Sequence, residues 1–393
     1  MTFSAFCARC RKKVKKAERI IRYFDMFAGV GGFRAGLDLA GGFQCIGHCE
    51  IDKYADASYR AIHAPGKEEV YYPDARTIDL KELPDFDLLC GGFPCQAFST
   101  AGRRKGFEDA RGTLFFELAR VVKEKRPSYL FFENVPGLLS HDRGRTFGVI
   151  LSALYDLGYH VEWTVLNSKH FGVPQSRRRL FLIGYLDPRC AGKILPVFGT
   201  DAKALVQIVH GRLGKRVYDS AGIACTQDTS RQSGLYFVDL TKGNPKITAN
   251  ARCLHTRQDG SLTNFKGQNS GVLYIKEATK KGYKEAHEGD SIDLGFAGSN
   301  TRRGRVFAGV AHTVDTANTH GIVLRGGRVR RLMPRECFRL QGFREDQIDK
   351  ILAINSDAQA YKQAGNSVTV TVIEAIGRRI RAADAELYAQ ESR

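Results

Sequence analysis

The run Ile20-Ile21-Arg22-Tyr23-Phe24-Asp25-Met26-Phe27-Ala28-Gly29-Val30-Gly31-Gly32-Phe33 starts apolar, passes through glycines and leads into a helix-like stretch, Phe33 to Ala40. Strand, glycine turn and helix in that order form the opening unit of an alternating α/β sheet. Glycines at such a turn let the backbone bend sharply and approach a ligand closely. The spacing is not G-x-G-x-x-G, so a dinucleotide is not the first expectation.

The alternation continues outward from there. Phe43 to Cys49 reads as a second strand and Asp52 to His63 as a second helix, with later strands at Phe86–Cys90, Tyr129–Phe132, His160–Val165 and Leu180–Tyr185. Thr146 to Leu157 places Phe147, Ile150, Leu151 and Leu154 at helical spacing. The fold class expected over residues 20–188 is therefore α/β, a doubly wound and mostly parallel sheet. From about Ala191 to Arg325 helical periodicity fades while Gly, Thr, Asn, Arg and Lys become frequent, which predicts a smaller, loop-rich second domain over 189–325. Helical patterning returns at Pro334–Leu340 and Thr369–Ala383, within a C-terminal segment 326–393. A weak repeat relates Gly222–Thr229 to Gly309–Thr316, read either as two similar strand-turn pieces or as two related loops facing one ligand surface.

Length and composition bound the function. The chain has 393 residues, 43% of them hydrophobic, which suits a folded globular protein of more than one core. No apolar run is long enough to span a bilayer and no signal-peptide core follows the N-terminus, so a cytoplasmic protein is expected. A formal charge of +18 points to a polyanionic partner, nucleic acid above all. The basic extension 1–19 carries Cys7-x-x-Cys10, but no second pair with zinc-ribbon spacing follows, so no metal is expected. The ten cysteines show no disulfide-like framework.

Chemistry concentrates at the expected carboxyl edge of the sheet, where open α/β folds bind ligands. Cys95, in Gly92-Phe93-Pro94-Cys95-Gln96, follows one apolar run, and Glu133 follows another. A thiol beside a carboxyl group suits nucleophilic attack on an electron-poor ring. Glu50 stands at the end of the second strand, where an acid accepts hydrogen bonds from ribose hydroxyls, and Asp74, after Tyr71-Tyr72-Pro73, is expected to reach an adenine amine. A nucleoside-bearing cofactor follows.

In order and spacing, these segments resemble the motifs of the DNA (cytosine-5) methyltransferases of bacterial and phage type. The matching residues are Phe24–Phe33, Glu50-Ile51-Asp52, Gly91–Ser99, Arg111–Phe115, Glu133-Asn134-Val135, Gln175–Arg179, Arg331–Glu336 and Gln363–Val368. They cover nearly everything from Arg22 to about Ile380 except the middle region.

The resemblance implies S-adenosyl-L-methionine as cofactor, held by Asp25, Phe27, Ala28, Gly29, Gly31, Glu50, Ile51, Asp74, Asn366 and Val368. It implies Cys95 as nucleophile, Glu133 as partner of the cytosine edge, Arg179 as donor to the ring carbonyl and Arg177 in support. A catalytic and cofactor-binding domain over 20–188 and a target-recognition domain over 189–325 follow, with the C-terminal segment returning to the catalytic domain. Gln96 to Arg111 would include a loop closing over double-stranded DNA, and Thr313-Val314 looks like the family's Thr-aliphatic pair. Expected DNA contacts are Gln96, Ser99, Arg111, Arg252, Arg257, Arg302, Arg303 and Thr313, with Arg103, Arg104, Lys105, Lys169, Arg231 and Arg305 as further phosphate candidates. The target base must leave the duplex, because carbon 5 chemistry is blocked inside it. A monomer acting beside a separate cognate restriction endonuclease fits this reading. Two rivals stand beside it: a tRNA cytosine-5 methyltransferase of the same fold, and a non-catalytic DNA-binding regulator, against which Cys95, Glu133 and Arg179 all speak.

Overall fold

The computed structural model describes residues 19–93, 114–197, 235–239, 246–248, 273–295, 301–317, 319–324 and 329–391, with backbone alone at 235–239, 246–248, 274 and 391. A seven-stranded sheet organises the larger part. Its strands are β1 (Ile21–Met26), β2 (Phe43–Cys49), β3 (Val70–Tyr72), β4 (Leu88–Gly92), β5 (Tyr129–Asn134), β6 (His160–Asn167) and β7 (Arg178–Tyr185). They lie in the order β3-β2-β1-β4-β5-β7-β6, all parallel except β7, which runs antiparallel to both its neighbours.

Alternate residues of each strand face opposite sides of the sheet, and both sides are apolar, as a sheet covered twice requires. Phe24, Met26, Leu89, Leu130, Phe132 and Leu182 pack on α3 (Leu114–Lys125) and α4 (Arg145–Asp156). Tyr23, Leu88, Cys90, Phe131, Phe181 and Ile183 pack with Phe33 and Leu37 of α1 (Gly32–Ala40) and with Ile373, Ile376 and Ile380. Those isoleucines belong to helix α8 (Val370–Glu391), which packs on this face of the sheet. Helix α2 (Lys53–His63) is capped by Asp52, whose carboxylate accepts from the Tyr54 amide at 2.9 Å.

Close packing of α1 on α8 depends on Gly36. A Cβ added there would stand 2.5 Å from Ile373 Cβ. In an exposed helix Gly→Ala raises stability by about 1 kcal/mol through propensity, whereas overpacking a filled contact costs about 1–3 kcal/mol. Gly36→Ala is therefore expected to lower stability by about 1–2 kcal/mol, read as a reduced urea midpoint at unchanged m-value.

The helices α5 (Pro334–Leu340), α6 (Glu345–Ile354) and α7 (Asp357–Asn366) form a third cluster with Ile62, Ala311 and Val314. The smaller region is antiparallel. Strands β8 (Leu235–Asp239), β9 (Lys246–Thr248), β10 (Leu273–Lys276) and β11 (Tyr283–Ala286) make one four-stranded sheet. Strands β12 (Ser291–Asp293), β13 (Val306–Phe307), β14 (His320–Val323) and β15 (Val329–Arg331) make another. The expected strands and helices are present with shifted ends, while β3, α3, α6 and α7 had not been anticipated. Among the described residues no helix is long and apolar enough to cross a membrane.

Candidate active site

Strands β4 and β5 end side by side, and their register sets Gly92 directly beside Glu133. A Cβ at residue 92 would lie 3.2 Å from Glu133 Oε2, so glycine leaves the space the carboxylate occupies. Arg179, near the start of β7, closes the other side: its Nε stands 3.0 Å from Glu133 Oε1. Burial pushes the Glu133 carboxyl above its usual range, while the guanidinium groups of Arg179 and Arg177 pull it back. Burial likewise pulls Arg179 down, against the support of Glu133. The result is a desolvated acid and cation held together at the sheet's carboxyl edge.

Asn134, next along β5, holds the chain leading to the cysteine. Its Nδ2 donates to the Phe93 carbonyl at 2.8 Å and its Oδ1 accepts from the Val135 amide at 2.8 Å. Both bonds are fixed by one buried amide side chain, a role the sequence reading had not given it. Asn134→Ala leaves two backbone groups without these partners, and about 1–3 kcal/mol of stability should go with them, as a urea titration would show. Cys95 itself, with Gln96, Ser99 and Arg111, lies outside the described residues.

Arg177 is fully buried, and burial together with neighbouring Arg179 pushes it down to about 9, against Glu133. Its Nη1 donates to the Val314 carbonyl at 3.0 Å, and its Nη2 to the carbonyls of Gly365 at 2.9 Å and Ser367 at 2.8 Å. Arg177 thus binds three backbone carbonyls from two separate segments. Gln175, unassigned from sequence beyond its motif, accepts from the Val314 amide at 2.8 Å and donates to the Leu340 carbonyl at 2.7 Å.

The expected cofactor residues gather at the same edge. Phe27 and Gly29 both take φ +57° and Gly31 takes +81°, the left-handed region. At Gly31 a Cβ would fall 2.3 Å from the His63 ring, whose Nε2 donates to the Gly31 carbonyl at 3.2 Å. Burial, with Arg34 nearby, drives His63 down to about 3, so it is a neutral strut under the turn. The Ala28 amide donates to the Cys49 carbonyl at 3.0 Å. Glu50 accepts from the Gly29 amide at 2.7 Å and the Asp52 amide at 2.8 Å, and burial raises its carboxyl. Asp25 is buried with Cys90 Sγ 3.7 Å from Oδ1, and burial pushes it up to about 8. Its Oδ2 has no hydrogen-bond partner among the described residues. Ile51 is 70% exposed. Asn366 is exposed and Val368 buried, with Val368 Cγ2 2.8 Å from where a Gly32 Cβ would be. Asp74 holds the Arg76 guanidinium at 2.6 Å, which keeps its carboxyl below the usual range.

In the smaller region, Thr313 donates to the Ser176 carbonyl at 2.9 Å, tying the 309–316 segment to the turn before β7. Arg302 pairs with Asp293 at 3.0 Å, and Arg303 donates to the Ala278 carbonyl at 2.7 Å on the surface. Arg305 corrects its expected phosphate role: it is buried and bonds the Asp293 and Lys276 carbonyls, a strut between strands. Arg252, Arg257 and the first copy of the repeat lie outside the described residues.

Known proteins resemble this chain along most of its length. The sequence model of the C-5 cytosine-specific DNA methylases matches residues 21–382. The orphan methyltransferase M.SPRI of Bacillus phage SPR is 32% identical, covering 92% of this chain and 97% of that protein. The type II methyltransferase M.HpaII of Haemophilus parainfluenzae is 34% identical over 93% of this chain and 90% of its own length. The type II methyltransferase M.HhaI of Haemophilus parahaemolyticus is 32% identical over 92% and 94%. A solved structure of a putative DNA modification methyltransferase encoded within an E. coli prophage shares the fold, with TM-score 0.56 at 20% identity over 92% of this chain and 99% of that one. The chain belongs to the C-5 cytosine-specific DNA methylases and is a DNA cytosine-5 methyltransferase.

Proposed function

We propose that this methyltransferase uses S-adenosylmethionine to methylate carbon 5 of a cytosine flipped out of a short duplex sequence, through a covalent Cys95 adduct. The observation that carries the catalytic assignment is the partly buried Glu133–Arg179 pair, set against Gly92 three residues before Cys95.

The residues present fit the cofactor. Asp25 Oδ2, buried and unpartnered among the described residues, suits a cationic amine, and exposed Ile51 offers an apolar face to a base. A Cβ on Gly29 would meet nothing within 4 Å, so the turn borders open space. Asp25, Phe27, Ala28, Gly29, Gly31, Glu50, Ile51, Asp74, Asn366 and Val368 would hold the cofactor. When bound it supplies the methyl group as an electrophilic sulfonium substituent.

The chain's own groups supply the rest. The Cys95 thiolate adds to carbon 6 of the ring, and the electron pair so displaced makes carbon 5 nucleophilic. Glu133, sharing a proton at ring nitrogen 3, offsets the charge that develops, and Arg179 steadies the ring carbonyl. Once carbon 5 carries the methyl group, a base removes its proton and the thiolate leaves, restoring the aromatic ring. A free thiol of pKa about 8.5 is only a few per cent thiolate at neutral pH, so cations near the site assist by favouring the anion.

Residues 20–188 form the catalytic domain in this reading, 189–325 recognise the target and 326–393 complete the cofactor side. The partner is double-stranded DNA, engaged by a monomer in the cytoplasm of a bacterial or phage-infected cell. The type II names of the relatives support a role beside a separate restriction endonuclease. Bisulfite sequencing of a plasmid incubated with the protein and S-adenosylmethionine tests this. Protection of cytosines in one short sequence context, absent without the cofactor, is the expected result. Methylation of tRNA instead of plasmid would overturn it.

A further inference from the structure

Arg177 joins two segments far apart in sequence, and only one of them belongs to the cofactor side. One is 311–316: the Ala311 amide donates to the Pro174 carbonyl at 2.8 Å, and the Val314 amide and carbonyl are bound by Gln175 and Arg177. The other is 364–368, whose Gly365 and Ser367 carbonyls take the second guanidinium nitrogen. The two segments also touch directly. A Cβ at Gly365 would stand 2.6 Å from the Asp315 carbonyl carbon and 2.6 Å from the Thr316 amide nitrogen.

Among the described residues no carboxylate forms an ion pair with Arg177, and its Nε has no partner. A buried cation in such a setting is costly unless its remaining donors all find acceptors. Those acceptors come from both segments together, so displacing either one leaves a buried charge undersatisfied.

We infer that Arg177 is a positioning residue that couples the recognition-side segment 311–316 to the cofactor-side segment 364–368, so that duplex DNA and the methyl donor tighten each other's binding through it. This rests on the proposed reading that Asn366 and Val368 face the cofactor and Thr313 the DNA. Linkage makes the effect reciprocal: the factor by which DNA tightens the cofactor equals the factor by which the cofactor tightens DNA.

The test is calorimetric titration of the full-length chain with S-adenosylhomocysteine, alone and saturated with a duplex carrying the target sequence. In the wild type the duplex should tighten binding about tenfold, within the usual range of coupling between sites. Arg177→Lys keeps the charge but replaces a planar fork by a point donor that cannot serve carbonyls on both segments. Gly365→Ala leaves the guanidinium intact and pushes the 315–316 backbone away. Both should reduce the coupling factor below about twofold while each ligand alone still binds, an outcome that a general loss of structure would not give. If Arg177→Lys fails to fold, Gly365→Ala decides. Coupling retained in the folded variants, or absent from the wild type, overturns the inference and leaves the proposed function standing. A wild type that does not bind S-adenosylhomocysteine at all overturns that function, and the inference with it.

Discussion

Cys95→Ala is expected to abolish methyl transfer, by roughly 10⁴-fold or more, while leaving the fold and cofactor binding intact. Carbon 5 of cytosine is a poor nucleophile until a group adds at carbon 6, and alanine has no atom that can add. Cys95 follows Phe93 by two residues in the chain. Phe93, in turn, is tied to β5 through Asn134, one residue beyond Glu133. The loss should therefore be specific to chemistry. The measurement is transfer of a tritiated methyl group to the target duplex, with thermal melting as the control for folding. A residual rate within tenfold of wild type would remove the covalent route from the mechanism.

Glu133→Gln is expected to slow transfer by about 10²–10³-fold, the usual worth of a positioned acid. Glutamine fills the same space beside Gly92 but cannot share a proton with the ring, and it leaves Arg179 without its ion pair. The pH profile gives an independent check. Burial raises Glu133, so the protonated form that the mechanism uses persists above the ordinary carboxylate range of about 4.3. Activity carried by that form declines on the alkaline side, as pH rises through the raised pKa. Arg179 favours the ionised carboxylate, so Arg179→Met should move the declining limb of kcat/KM to higher pH even as the rate falls. A limb that stays in place or moves to lower pH would mean that Glu133 does not govern it.

The expectation that Cys95 and Glu133 form a catalytic pair is drawn from local order. Apolar runs ending at Cys90 and Phe132 mark strand ends, and functional residues of an open α/β sheet follow strand ends. The glycine turn was legible for a similar reason: positive φ at Gly29 and Gly31 requires the one residue type that tolerates it freely. Helices α6 and α7 are not legible because what they bury is largely polar or small (Gln347, Ala360, Gln363, Ala364 and Gly365), which weakens the apolar periodicity. The buried role of Arg305 is not legible because an arginine in a loop-rich, basic stretch has the same appearance whether it reaches solvent or the backbone carbonyls of Lys276 and Asp293.

The sequence by itself determined the alternation of strands and helices, the glycine turn, the order of the motifs and hence the chemistry, since each depends on residues near one another along the chain. Tertiary structure alone decided what holds them together. His63 lies under Gly31, Asn134 on Phe93, and Arg177 between Val314 and Gly365, across separations of 32, 41, 137 and 188 residues. Such contacts answer to the desolvation of buried donors and acceptors, which must find partners wherever the fold brings them, and no local pattern records where that is.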